Sequence, residues 1–220
     1  MNVLITAATD VELQGIDEKA KAMQNHNIDL CITGTGCTFT AYTLTKKLQN
    51  TKFDLVLNVG IAGSFMKNMP IGTTVIVETE IFGNLGITYP HKFSTLFDEK
   101  FINPNEYPFV NGKLFCKYAK QFNRNNLNLV CGLTVDATSG EENQIAERKK
   151  MFNADIETME GAAFFYVCLC EKTPFLQIRT ISNYIEPRNK NKWNIPLAIE
   201  NLTNEVFDFL SGLLLKHDKY

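Results

Sequence analysis

The chain has 220 residues, 45% hydrophobic and 21% charged, with a formal net charge of −2. Such a composition can bury a sizeable core, and the length suits one domain over 1–220 better than two. The charge balance speaks against nucleic acid or another polyanion as partner, and no apolar run reaches the roughly 18 residues of a membrane span.

Residues 2–8 (NVLITAA) read as a strand, and 11–24 carry helical spacing through Val11, Leu13 and Ile16, weakened by Gly15. Residues 28–33 (IDLCIT) are a second strand, Gly34 and Gly36 mark a tight turn, and 38–49 look helical. A third strand over 54–59 runs into a glycine turn, Gly60-Ile61-Ala62-Gly63, and 73–82 alternate as a longer strand. Residues 84–111 mix prolines with aromatic residues, from Tyr89 and Phe93 to Tyr107 and Phe109, and show no period. A structureless stretch of that length is usually functional or mobile. Then 113–123 read as a helix, 127–135 as a strand, 141–152 as a helix and 154–157 as a short strand. Thr158 caps a helix over 159–171, and 175–182 form another strand. The last helix starts near Pro196, a favoured first-turn residue, with Ile199, Leu202, Val206, Phe209 and Leu213 on one stripe.

Strands alternating with helices predict an α/β fold: a three-layer sandwich whose twisted, mixed central sheet is flanked by helices. Ligands in such folds bind at the carboxyl ends of strands. The segments to watch are Thr9 to Glu12, Gly60 to Ser64, Asp136 to Gly140 with Thr138 among them, Thr158 to Glu160, and Asn183 onward. The six cysteines form no CxxC, and His26, His91 and His217 are scattered, so no metal site is expected. Reduced cysteines serving as small core residues, and an N-terminus (MNVLITAATDVE) without the features of a signal peptide, point to a cytoplasmic protein.

Four residues invite a chemical reading beside a structural one. Glu12 is a first-turn acid that a helix dipole favours, and equally a candidate base. Glu160 lies in another first turn, followed by the small Gly161, Ala162 and Ala163; it could accept two hydroxyl hydrogen bonds from a ribose, with Met159 against the sugar face. Arg179, inside an apolar strand, requires a carboxylate partner, in a core salt bridge or in a site. Asn183 ends that strand, as a turn residue does, and offers one donor and one acceptor side by side. The glycine turns GTG and GIAG lack the GxGxxG pattern of a dinucleotide site.

The segments NVGIAGSF, IETMEGAAFFYVC and PFLQIRTISNYIEPRNKNKWNIPLAI together resemble the purine nucleoside phosphorylase and methylthioadenosine nucleosidase superfamily. The EPRNKNKWNIPLAI stretch is most similar to the futalosine hydrolases within it, which belong to a menaquinone pathway. The resemblance implies a nucleoside phosphorylase-like fold and hydrolysis of futalosine to hypoxanthine and dehypoxanthine futalosine. It implies no cofactor, a small nucleoside as ligand, and a homodimer or larger homo-oligomer. It casts Glu12 as the acid that activates water, Glu160 and Met159 as sugar-binding, Arg179 as the arginine near the water, and Asn183 as the residue facing N7 of the purine.

The adenine-releasing relatives carry an aspartate where this chain has Asn183. An amide suits a 6-oxopurine, whose N7 once protonated donates while O6 accepts. Phosphorylases of the superfamily hold phosphate with arginines in the first half, and here no arginine precedes Arg124, which favours water. Two departures touch the sugar and water contacts. Ile61 stands where hydrolysing relatives often have serine, so backbone groups or Ser64 must help; Thr158 stands where they have a second glutamate. Arg188 and the aromatic 84–111 segment are candidates for the benzoate on the 5′ side. The alternatives are a methylthioadenosine/adenosylhomocysteine nucleosidase, a purine nucleoside phosphorylase, and a non-catalytic nucleoside-binding module.

Overall fold

The computed structural model describes residues 1–21, 27–123 and 125–217, the side chains of 214–217 apart. The end of the expected first helix, 22–24, and the side chains of His26, Arg124 and His217 lie outside what it describes. Strands β1 (Asn2–Ala7), β2 (Asn27–Ile32) and β3 (Leu55–Ser64) alternate with helices α1 (Asp10–Lys21) and α2 (Cys37–Asn50). Next come β4 (Thr74–Phe82), β5 (Gly86–Tyr89), β6 (Lys92–Thr95), β7 (Leu114–Phe115) and a short α3 (Ala119–Phe122). The chain continues through β8 (Asn128–Thr134), α4 (Glu142–Phe152), β9 (Ile156–Thr158), α5 (Gly161–Cys170) and β10 (Phe175–Tyr184) to α6 (Ile195–His217).

The sheet is mixed, as expected. Its order is β10-β4-β8-β9-β3-β1-β2, with β7 on β4, and β10 also pairs with β3. That extra pairing closes β10, β4, β8, β9 and β3 into a ring, from which β1 and β2 extend beyond β3. The β3 and β10 strands are almost wholly buried, which is why they read as continuous apolar runs without alternation. Helix α6 lays Leu202, Val206, Leu210 and Leu213 on the core at steps of three and four residues. Asn194 caps it, its Oδ1 accepting from the Leu197 N–H at 3.2 Å. Among the described residues no helix is long and apolar enough to cross a membrane.

Four expectations need correction. The Gly60 to Gly63 segment is not a turn: β3 continues through it to Ser64. Residues 113–123 are not one helix. Leu114 and Cys116 are buried on a strand-like alternation, β7 pairs with β4, and only Ala119–Phe122 turn into helix. The 84–111 stretch is ordered: β5 and β6 form a hairpin, and Phe109 packs on Phe97 at 5.1 Å and on Tyr166 of α5 at 6.0 Å. Phe109 and Phe97 thereby join the main core and Phe93 packs on a smaller cluster, while Tyr89, Phe101 and Tyr107 stay exposed. Finally, Thr158 ends β9 and the helix starts at Gly161, so Glu160 and not Thr158 holds the cap position, two residues later than expected.

Candidate active site

Eight of the nine expected site residues line one cavity of about 740 Å³: Glu12, Ile61, Thr138, Thr158, Met159, Glu160, Asn183 and Arg188. Arg179 is the exception. It lies beneath the cavity, 2% exposed. No residue of 84–111 is in the lining, so within one chain that segment does not reach the site.

Glu12 projects from the first turn of α1 and is tied on both oxygens. Its Oε1 accepts from the Ile61 N–H at 3.1 Å; its Oε2 accepts from the Thr9 N–H at 3.1 Å and the Thr9 hydroxyl at 2.9 Å. Oε2 thereby has both lone pairs engaged, and Oε1 keeps one for a further donor. The backbone at Ile61 thus supplies the contact its side chain cannot. Ser64 does not help: its hydroxyl donates to Met66 O at 3.1 Å and accepts from Met66 N–H. Gly60 explains why β3 carries a glycine mid-strand. A Cβ there would fall 2.6 Å from Glu12 Oε1 and 3.4 Å from Arg179 Nη1.

Arg179 meets no carboxylate oxygen within salt-bridge distance among the described residues, contrary to the expected ion pair. Its Nη2 donates to Asn58 Oδ1, and its Nη1 donates to Ile178 O at 3.2 Å. Asn58 in turn donates to the Thr6 hydroxyl at 3.1 Å, so a polar line crosses β10, β3 and β1 through the core. The charges of Glu160, Glu12 and Glu80 offset the burial that pulls the guanidinium down.

Glu160 is buried, and its Oε1 accepts from the Gly36 N–H at 3.0 Å. Burial pushes its carboxyl above the usual range, while Arg179 and then the Gly36 N–H pull it back. Positive φ at Gly34 and Gly36 shapes the turn that brings this N–H to the acid.

Asn183 is held in one orientation. Its Nδ2 donates to Tyr184 O at 3.1 Å, and its Oδ1 accepts from the Ser182 hydroxyl at 2.7 Å. The carbonyl at Tyr184 can only accept, so it fixes which end of the amide is nitrogen. One N–H and one oxygen lone pair remain free. Sequence reasoning passed over Ser182, although it precedes Asn183 in the quoted motif.

At the far end Arg188 donates to the Thr138 hydroxyl at 3.0 Å and stacks on Trp193 at 5.4 Å. The loop carrying Thr138 is anchored from below. Glu157 accepts from the Ser139 N–H at 2.9 Å and pairs with Arg148 at 3.1 Å. Five acids line the cavity (Glu12, Asp136, Glu157, Glu160 and Glu186), and Arg188 is the one lysine or arginine among the described lining residues.

A sequence model of the phosphorylase superfamily matches residues 20–211, and the chain belongs to that family. Curated relatives include a futalosine hydrolase of Streptomyces coelicolor, 28% identical over 72% of this chain and 66% of its own length. A futalosine hydrolase of Thermus thermophilus is 28% identical over 79% of this chain and 77% of its own. A 5′-methylthioadenosine/S-adenosylhomocysteine nucleosidase of Haemophilus ducreyi is 26% identical over 95% and 90%. Among solved structures, a futalosine hydrolase mutant of Helicobacter pylori superposes with a TM-score of 0.80 at 16% identity, covering 96% of this chain and 99% of that one. The nucleosidase of Colwellia psychrerythraea in complex with adenine gives 0.78 at 19% identity, covering 96% and 95%.

Proposed function

We propose that this protein is a nucleosidase that hydrolyses the N-glycosidic bond of a 6-oxopurine nucleoside carrying an anionic aryl group on its 5′ side. Futalosine answers that description; the products are hypoxanthine and dehypoxanthine futalosine, a step of menaquinone biosynthesis. One observation carries the choice of base. With Ser182 and Tyr184 each engaging one end of the Asn183 amide, what remains is one acceptor and one donor. Those two match a protonated N7 and O6 of a departing oxopurine.

In this reading Glu160 accepts from the ribose hydroxyls, with Met159 beside the sugar. The free lone pair of Glu12 Oε1 takes a proton from water as the water oxygen bonds to C1′. The C1′–N9 electron pair leaves with the base, which takes a proton at N7 from solvent. Asn183 cannot supply that proton; it holds the developing charge by hydrogen bonds. Arg179 keeps Glu12 and Glu160 in the field of one cation. Arg188, stacked on Trp193, receives the 5′ carboxylate.

Among the described lining residues Arg188 is the one arginine and no cluster of cations stands ready to clamp phosphate, so water is the acceptor in this reading. The reading also implies a cytoplasmic enzyme without cofactor or metal, working as a homodimer or larger homo-oligomer. The adenine-releasing alternative draws support from the Haemophilus ducreyi nucleosidase, which matches 95% of the chain. Purified protein incubated with futalosine and with methylthioadenosine, each with and without phosphate, separates these readings. Hypoxanthine release at a rate indifferent to phosphate is the expected result. Adenine release alone, or dependence on phosphate, would sink it.

Gly60→Ala tests the acid's placement. The new methyl group must displace the Glu12 carboxylate from its 2.6 Å approach, and a displacement of about 1 Å is expected to lower kcat about 10²-fold. The check is steady-state turnover beside a melting curve showing that the variant still folds.

A further inference from the structure

Glu80, near the end of β4, is fully buried and is not among the residues lining the cavity. Room for it is made by glycines: a Cβ at Gly161 would fall 1.9 Å from its Oε1, and one at Gly132 would fall 2.4 Å away. Its Oε1 accepts from Gln177 Nε2 at 2.8 Å, and its Oε2 lies 2.9 Å from the Thr134 hydroxyl. Thr134 Oγ1 also accepts from the Ala162 N–H at 2.7 Å and lies 3.3 Å from Thr158 Oγ1. The Thr158 oxygen accepts from the Gly161 N–H at 3.4 Å. A chain of hydroxyls therefore runs from Glu80 through Thr134 to Thr158, which lines the cavity beside Glu160.

Each hydroxyl has one proton, so the chain has two directions. If Glu80 is ionised, Thr134 must donate to it, and the 3.3 Å contact between Thr134 and Thr158 is then kept only when Thr158 gives its own proton to Thr134. If Glu80 is a neutral acid, it donates to Thr134, Thr134 donates to Thr158, and the Thr158 proton is free for a ligand. We infer that Glu80 is a positioning residue that works as a neutral acid, turning the chain so that Thr158 donates to a hydroxyl of the bound sugar. The inference rests on the reading of Glu160 and its surroundings as the sugar site.

Charge supports it. Glu80, Glu160 and Glu12 share the field of one buried cation, Arg179, and none is in direct contact with it. Burial pushes the Glu80 carboxyl up to about 7, although Gln177, Thr134 and Arg179 pull it down. The other titratable groups in its field are Cys131 on β8 and Cys37 at the start of α2, whose thiols are themselves pushed up, Cys37 to about 12.

The test is KM against pH for the wild type, Glu80→Gln and Thr158→Val. An amide does not titrate, and with its oxygen toward Gln177 Nε2, where Glu80 Oε1 now accepts, and its NH2 toward Thr134 the Glu80→Gln variant mimics the neutral acid at every pH. Wild-type KM is expected to rise about 2- to 10-fold above pH 7 as one sugar hydrogen bond is lost. Glu80→Gln should keep the low-pH value, and Thr158→Val should show the raised value throughout. A KM rise in Glu80→Gln equal to the wild-type rise overturns the inference.

Melting curves give a readout independent of activity. A carboxyl raised from 4.5 to about 7 in the fold binds its proton more tightly there than in the unfolded chain. The contribution of this group to stability is then fully present below about pH 4.5 and is lost as pH rises through about 7. Glu80→Gln should remove that share of the decline in Tm, and parallel Tm profiles would count against a neutral Glu80. Absence of any nucleoside turnover removes the sugar-site reading and the inference with it. Turnover with an unchanged pH response in Glu80→Gln removes the inference alone.

Discussion

Glu12→Gln is expected to lower kcat for nucleoside hydrolysis by about 10²- to 10⁴-fold and to leave KM nearly unchanged. The range corresponds to about 3–5 kcal/mol of barrier. Three donors converge on this carboxylate, from Ile61 N–H, Thr9 N–H and the Thr9 hydroxyl. They hold it in place, and they leave a single lone pair on Oε1 for water. An amide satisfies only one side of that arrangement. With its oxygen toward Thr9, its NH2 must face the Ile61 N–H, donor against donor. Both effects oppose proton removal, and neither touches the sugar or the base. The measurements are steady-state hypoxanthine release and calorimetric binding of hypoxanthine. Retained binding with lost turnover fits the role of base; turnover within about tenfold of wild type takes that role from Glu12.

The candidate site was legible because its residues sit in contiguous, unusual strings. Met159-Glu160 and Arg179 through Asn183 break the pattern of a strand end or helix start, and the resemblance supplied what each could be for. The fold was legible where strands were long and apolar, as in β3 and β10. It was not legible where elements are short: β5, β6 and β7 have four, four and two residues, too few for a period to emerge. Residues that act through partners distant in sequence were also hidden. Arg179 was expected to find a carboxylate, yet Asn58, which no local pattern singles out, takes its guanidinium because β3 and β10 run side by side. Glu80 read as one polar position in an alternating strand. Its burial is set by Gly132 and Gly161, on two other elements. Gly60 read as a turn residue because glycine has two uses, conformational freedom and absence of volume, and a sequence does not distinguish them.

Asn183→Asp is expected to lower kcat/KM on the oxopurine nucleoside by about 10²- to 10⁴-fold and to raise the ratio of adenine to hypoxanthine released. In the proposed reading the amide presents a donor to O6; a carboxylate would present a lone pair, and two oxygens would face each other. The same atom meets a second oxygen on its other side, since Nδ2 currently donates to the Tyr184 carbonyl at 3.1 Å. The substitution therefore either repels that carbonyl or draws a proton onto the new carboxyl. A protonated aspartic acid can give its proton to N7, which Asn183 cannot do, and that gain favours adenine as leaving base. The Ser182 hydroxyl can keep donating to the retained oxygen at its present 2.7 Å, so the side chain stays in register and the comparison is one of chemistry. Competing the two nucleosides in one vessel, with both bases quantified by chromatography, reads the ratio directly. An unchanged preference in Asn183→Asp would mean that the base is recognised elsewhere, and the assignment of Asn183 to N7 and O6 would fall.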